Sequence, residues 1–308
     1  MVASTSGSDR QPTSAQHNYA AKMNERRSST WLALGAIALW GGLAPIGVQL
    51  EHVPPFLLTG LGLLIGSAIS LPFSGWRLAS WRVPLRTLAL GVYGLFGFHF
   101  LLFIALRNAP PVQANLVNYL WPLGIVLLSP LFLPNVRLQA HHVLAAILGF
   151  TGASLAITGG QNLVWAPQGT FAWGYLPALG SAFIWASYSL WTRRVPAFPT
   201  SAIGLFGLVS GLLALACHFV LEPAVQLNLH EDLLLIAMGI GPLGAAFYLW
   251  DAALKAGDAR RIGVLAFLTP LLSTLGLLLI REQWPDLSVL AATALIIAAA
   301  FIGSLNRH

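Results

Sequence analysis

WLALGAIALWGGLAPIGVQL, residues 31–50, runs twenty positions without a charged side chain. An α-helix rises about 1.5 Å per residue, so this stretch reaches across about 30 Å, the hydrocarbon thickness of a bilayer. The rest of the chain repeats the pattern. Further apolar segments run at 56–73, 85–106, 112–133, 139–158, 170–192, 201–221, 231–254, 260–280 and 286–304. They are too long and too continuously apolar for the alternating strands of a barrel, so the spanning element is the helix. The expected fold is all-α and integral to a membrane, with ten transmembrane helices.

Composition agrees. Of 308 residues, 56% are hydrophobic and 8% are charged, against about 25% charged in soluble domains. The net charge of +6 comes from basic residues scattered in ones and twos, which argues against nucleic acid and leaves the lipid bilayer as the expected surrounding. If the N-terminus is cytoplasmic, fourteen of the sixteen Lys and Arg residues fall inside and only Arg107 and Arg281 outside, as the positive-inside rule expects. Cys217, the only cysteine, lies in an apolar run, so no intramolecular disulfide forms. Residues 1–30 are polar and are expected to be a disordered cytoplasmic tail; 305–308 form a second one, and 159–168 an extracytoplasmic loop.

The chain also matches itself. A shift of 145 residues aligns Ala33-Leu34-Gly35 with Ala178-Leu179-Gly180, Trp40 with Trp185, Pro54 with Pro199, Gly62 with Gly207 and Gly66 with Gly211. A shift of 148 aligns Ala105-Leu106-Arg107 with Ala253-Leu254-Lys255, Leu120 with Leu268, Pro122 with Pro270 and Leu123 with Leu271. The halves 31–158 and 169–304 each hold five spans. An odd number inverts the second copy, and two inverted five-helix repeats can open alternately to either side around a central cavity.

The strings ALRNAPPVQANLVNYLWPLGIVLL (105–128) and ALKAGDARRIGVLAFLTPLLSTLGLLLIRE (253–282) resemble the repeated core of the EamA branch of the drug/metabolite transporter superfamily. The family's Ala-Leu pair, Pro and Glu map onto Ala253-Leu254, Pro270 and Glu282, whereas Pro134 stands where the first half should carry the Glu. The NYLWP string at Asn118, Tyr119, Leu120, Trp121 and Pro122 is similar to the aromatic amino-acid exporter subgroup. What the resemblance implies is a basket-shaped inner-membrane exporter of aromatic amino acids and similar small molecules, working by alternating access.

Several side chains are candidates for contacting such a substrate. Trp40, His99, Trp121 and Trp185 fall near the middle of their spans, although Trp usually sits at the membrane interface. Ser181, Trp185, Tyr188 and Thr192 form a stripe on one face of the sixth helix, and Asn115, Asn118 and Tyr119 gather beside Pro122 on the fourth. These groups either line a cavity or fill gaps and bond neighbouring helices. His99 is open to two roles, a proton relay or a single interhelical hydrogen bond. Asp251 and Lys255 suit a structural i, i+4 ion pair. Gly91, Gly94, Gly97, Gly239, Gly241 and Gly244 are either hinges or close-packing sites. No metal or cofactor motif stands out, and no acid, base and nucleophile set suggests an intramembrane enzyme. A broader drug or metabolite exporter is the alternative, but Glu51 at a span end and the peripheral Asp251 offer little to a cationic drug. The sequence leaves the oligomeric state undetermined and is compatible with a monomer.

Overall fold

The computed structural model describes residues 14–134, 136–160 and 173–305. Among the described residues every regular element is helical, and nine stretches are long and apolar enough to cross a membrane. Five lie in the first half: α1 (Arg27–Leu50), α2 (Pro55–Pro72), α3 (Leu85–Asn108), α4 (Pro111–Phe132) and α5 (Ala140–Thr158). Next comes α6 (Tyr175–Trp191), an apolar helix of 17 residues. Four more follow: α7 (Thr200–Leu221), α8 (Leu229–Ala256), α9 (Ala259–Ile280) and α10 (Leu287–Ser304).

One boundary differs from expectation. The helix that becomes α1 starts at Ser14, inside the stretch expected to be disordered. The sequence SAQHNYAAKMNERRSST lacks Gly and Pro and carries Ala, Lys, Met, Glu and Arg, all favourable in helices, so polarity alone misplaced the start. Residues 1–13 of that tail, 161–168 of the connecting loop and 306–308 lie outside the described residues.

The helices are interrupted at matching places in the two halves. In α4 a turn at Tyr119 and Leu120 separates Pro111–Asn118 from Trp121–Phe132. In α9 a turn at Ala266 and Phe267 separates Ala259–Leu265 from Leu268–Ile280. The cause is shared: Pro122 and Pro270 lack the N–H that would bond four residues back, and their rings crowd that carbonyl. Each of α3 and α8 contains one π-turn, at Tyr93–Gly97 and Gly241–Ala245. The 148-residue shift superposes one on the other.

Packing follows the same correspondence. The helix α1 packs on the second part of α8 and on α9, and α6 packs on the second part of α3 and on α4; α2 pairs with α7, and α5 with α10. Contacts made by the first half on the second are therefore returned by the second on the first.

A buried carboxylate ties one end of this bundle together. Glu222, just past α7, accepts from the backbone N–H of Phe56 at 3.1 Å and of Leu57 at 3.2 Å, capping the exposed amides of α2. It also pairs with Arg107 at the end of α3 (2.8 Å) and lies 3.0 Å from His218 Nδ1. Replacing Glu222 with alanine removes the acceptor from all of these donors at once. The expected cost is roughly 2 kcal/mol, read as a lower melting temperature in detergent, and Arg107→Ala should cost less because the two amides keep their cap.

Candidate functional site

Four indoles from four helices meet in the interior. Trp40 on α1 lies 6.3 Å from Trp121 on α4, 5.7 Å from Trp185 on α6 and 5.2 Å from Trp250 on α8, centroid to centroid. Trp121 in turn lies 6.3 Å from Trp185 and 5.6 Å from Trp250, both edge-on. Phe247, one turn before Trp250, stands 5.9 Å from Trp40 and 5.6 Å from Trp185. Such edge-to-face and tilted geometries set the positive ring edge against a negative face, worth about 0.5–1.5 kcal/mol per pair beyond burial. The ring of Tyr188 joins at 5.3 Å from Trp185.

The cluster is closed. Relative exposures are 6% for Trp40, 5% for Trp121, 3% for Trp185 and 1% for Trp250. A central cavity is the expectation from the sequence; in this conformation the rings pack on one another and on Phe247 and Tyr188 instead.

The polar groups divide into satisfied and available. Trp40 Nε1 donates to the Pro242 carbonyl in the π-turn of α8 (3.1 Å), and Trp250 Nε1 donates to Ser189 Oγ (3.1 Å). Among the described residues no hydrogen-bond partner faces the indole N–H of Trp121 or Trp185. Asn118 Oδ1 accepts from Ser181 Oγ at 2.8 Å, joining α4 to α6 and leaving its NH₂ group as a donor. The stripe of Ser181, Trp185, Tyr188 and Thr192 is buried along its whole length. Asn115 and Tyr119 are part-buried and make no ring contact with the cluster among the described residues.

His99 is brought to the edge of the site, 6.4 Å from Phe247, 5.0 Å from Phe98 and 6.0 Å from Phe103. Its Nδ1 donates to the Leu95 carbonyl at 2.6 Å, four residues back on its own helix. That bond is local to α3, and the rings of Phe98, Phe103 and Phe247 stand around the imidazole. Asp251 Oδ2 receives Lys255 Nζ at 2.6 Å and Thr200 Oγ1 at 2.7 Å, an ion pair that pins the start of α7 to α8.

Two members escaped the sequence reading. Trp250 and Phe247 sit late in a 28-residue helix rather than near its middle. The signal was available in the repeat, because Phe247 is the 148-residue counterpart of His99 and Trp250 follows it by three positions, on the same face.

The glycines divide as well. A Cβ on Gly244 would stand 2.2 Å from the Gly239 carbonyl and 2.8 Å from Gly66 Cα; on Gly94 it would enter the Tyr188 ring at 2.3 Å, and on Gly91 the Phe206 ring at 2.2 Å. Gly239 is similarly tight against Ile65, at 2.7 Å. At Gly97 and Gly241 the nearest atoms lie 3.4 and 3.6 Å away, ordinary contact distances.

A bundle of apolar helices with proline-broken spans, corresponding halves and one buried aromatic and amide cluster defines a multi-pass membrane transporter. The chain belongs to the EamA-like transporter family, whose model matches twice, over residues 27–158 and 172–305. It is 41% identical to the "Aromatic amino acid exporter YddG" of Ancylobacter novellus, over 91% of this chain and 98% of that protein. It is 26% identical to the "Probable amino-acid metabolite efflux pump" of Salmonella typhimurium, over 90% of this chain and 94% of that protein. A crystal structure of a protein 40% identical in sequence superposes with a TM-score of 0.84, covering 90% of this chain and 96% of that one.

Proposed function

We propose that this chain exports aromatic amino acids and related small molecules across a bacterial inner membrane by alternating access. The observation that carries the reading is the convergence of Trp40, Trp121, Trp185 and Trp250 from four helices of both halves on one buried point. Planar rings take an aromatic side chain by stacking, while the free N–H groups of Trp121 and Trp185 and the amide of Asn118 suit its carboxylate. Trp40, His99, Asn118, Trp121, Trp185 and Tyr188 form or border that site, with Asn115 and Tyr119 on its approach along α4.

In this reading α6 is a tenth span, both termini are cytoplasmic, and 31–158 and 169–304 are inverted repeats. The reciprocal packing, the paired proline breaks and the paired π-turns support it. The substrate enters by parting these rings. Gly97 and Gly241, which have room around them, are the hinge positions; Gly91, Gly94, Gly239 and Gly244 let helices approach closely. A broader drug exporter is disfavoured because Asp251, next to Trp250 on α8, is paired with Lys255.

Protein in liposomes should exchange labelled Trp and Phe saturably, with unlabelled aromatic amino acids competing and organic cations not competing. Equal competition by organic cations would move the assignment to the broader exporter. If His99 relays protons, His99→Ala will keep downhill flux while flattening its pH response; an unchanged pH profile removes His99 from coupling.

A further inference from the structure

Trp40 and Trp185 are counterparts under the 145-residue shift, and the π-turns of α3 and α8 are counterparts under the 148-residue shift. Each indole sits on the helix that packs against the other half's π-turn: α1 contacts the turn in α8, and α6 contacts the turn in α3. The two environments nevertheless differ: the Tyr188 ring lies against Gly94 in the turn of α3, and the indole-to-turn hydrogen bond is made on one side only. Trp40 Nε1 donates to Pro242 O at 3.1 Å, whereas Trp185 Nε1 has no partner among the described residues, although Gly94, the counterpart of Pro242, lies in the facing turn. Both indoles are buried and lie in contact with each other, 5.7 Å between centroids.

A π-turn disrupts the regular i→i−4 ladder and bends the helix, so a side-chain donor on one of its carbonyls favours one course of that helix. Two halves with interchangeable packing reach the opposite access state by exchanging their conformations. The geometry points to an indole switch: Trp40 bonded to Pro242 O, with Trp185 unbonded, holds the present state, and Trp185 bonded to Gly94 O, with Trp40 released, holds the opposite one. Trp40 and Trp185 are then positioning residues for the helices that open the pathway, in addition to surfaces for substrate. Substrate lodged between the rings displaces both indoles together, which links occupancy of the cluster to the course of α3 and α8. This rests on the inverted-repeat reading, not on which substrate is carried.

The test removes each N–H while keeping a ring. Spin labels at the exposed positions Val48 and Val112, at one end of the bundle, report opening in a Cys217→Ser background without substrate. A lost hydrogen bond of ordinary strength changes a two-state ratio about fivefold. Trp40→Phe should lower the population of the present state by about that factor, Trp185→Phe should raise it by a similar factor, and the double variant should return to within about twofold of the parent. Shifts in the same direction, or unchanged distances in both single variants, would overturn the switch. A general loss of packing moves both variants alike, so it is told apart from the proposal. Failure of aromatic transport in the exchange assay leaves these substrate-free distances unaffected.

Discussion

Replacing Trp185 with alanine will lower exchange of labelled Trp in proteoliposomes by roughly thirtyfold or more. Trp185 meets Trp40, Trp121, Phe98, Tyr188 and Phe247 at centroid distances from 5.3 to 6.3 Å, so its ring is both the middle of the cluster and the wall a substrate ring would face. Losing two stacking contacts of about 1 kcal/mol each accounts for the fold-change. The same truncation opens a cavity in a packed interior, which costs stability through lost contacts. Trp185→Leu separates the effects, because it refills most of the volume with no aromatic face. It should recover the melting temperature and leave flux low. Near-normal flux in Trp185→Leu protein that inserts normally would remove the ring from the site, and Trp121→Ala should match Trp185→Ala in direction.

A second large effect is expected at Gly244. Its Cβ would collide with the Gly239 carbonyl and the Gly66 Cα, backbone atoms that cannot rotate away. Gly244→Leu should therefore cost on the order of 3 kcal/mol or more, the upper range for overpacking, and yield little monodisperse protein. Gly241→Ala is the contrast, since the nearest atom stands at 3.6 Å. That variant should fold normally and, because alanine narrows the conformations open to a π-turn, change the rate of exchange without changing stability. Equal yields of the two variants would contradict the packing described at Gly244.

The spans were legible because bilayer thickness acts directly on the sequence: WLALGAIALWGGLAPIGVQL has no other soluble use. The burial of Trp40, Trp121 and Trp185 was legible for a related reason, since indoles away from the interface demand a partner. Glu222 was not, because a carboxylate one residue beyond a helix reads as a loop charge until α2 and α3 bring Phe56, Leu57 and Arg107 to it. Nor were the π-turns. Glycine-rich α3 and α8 permit many local courses, and the choice is made by neighbours such as Tyr188 against Gly94 and Gly66 against Gly244. Trp250 was hidden by linear depth, which fails once a 28-residue helix carries an extra residue in a wide turn. The helix leading into α1 begins at Ser14, where polar composition concealed a favourable helical sequence.

The most direct test of the aromatic cluster as the transport site is photolabelling with a light-activated phenylalanine analogue, followed by peptide mapping. The predicted result is modification of peptides carrying Trp121, Trp185 and Trp250, suppressed by excess unlabelled Trp. Labelling confined to exposed aromatics such as Trp284 or Phe219, and indifferent to that competitor, would contradict the account.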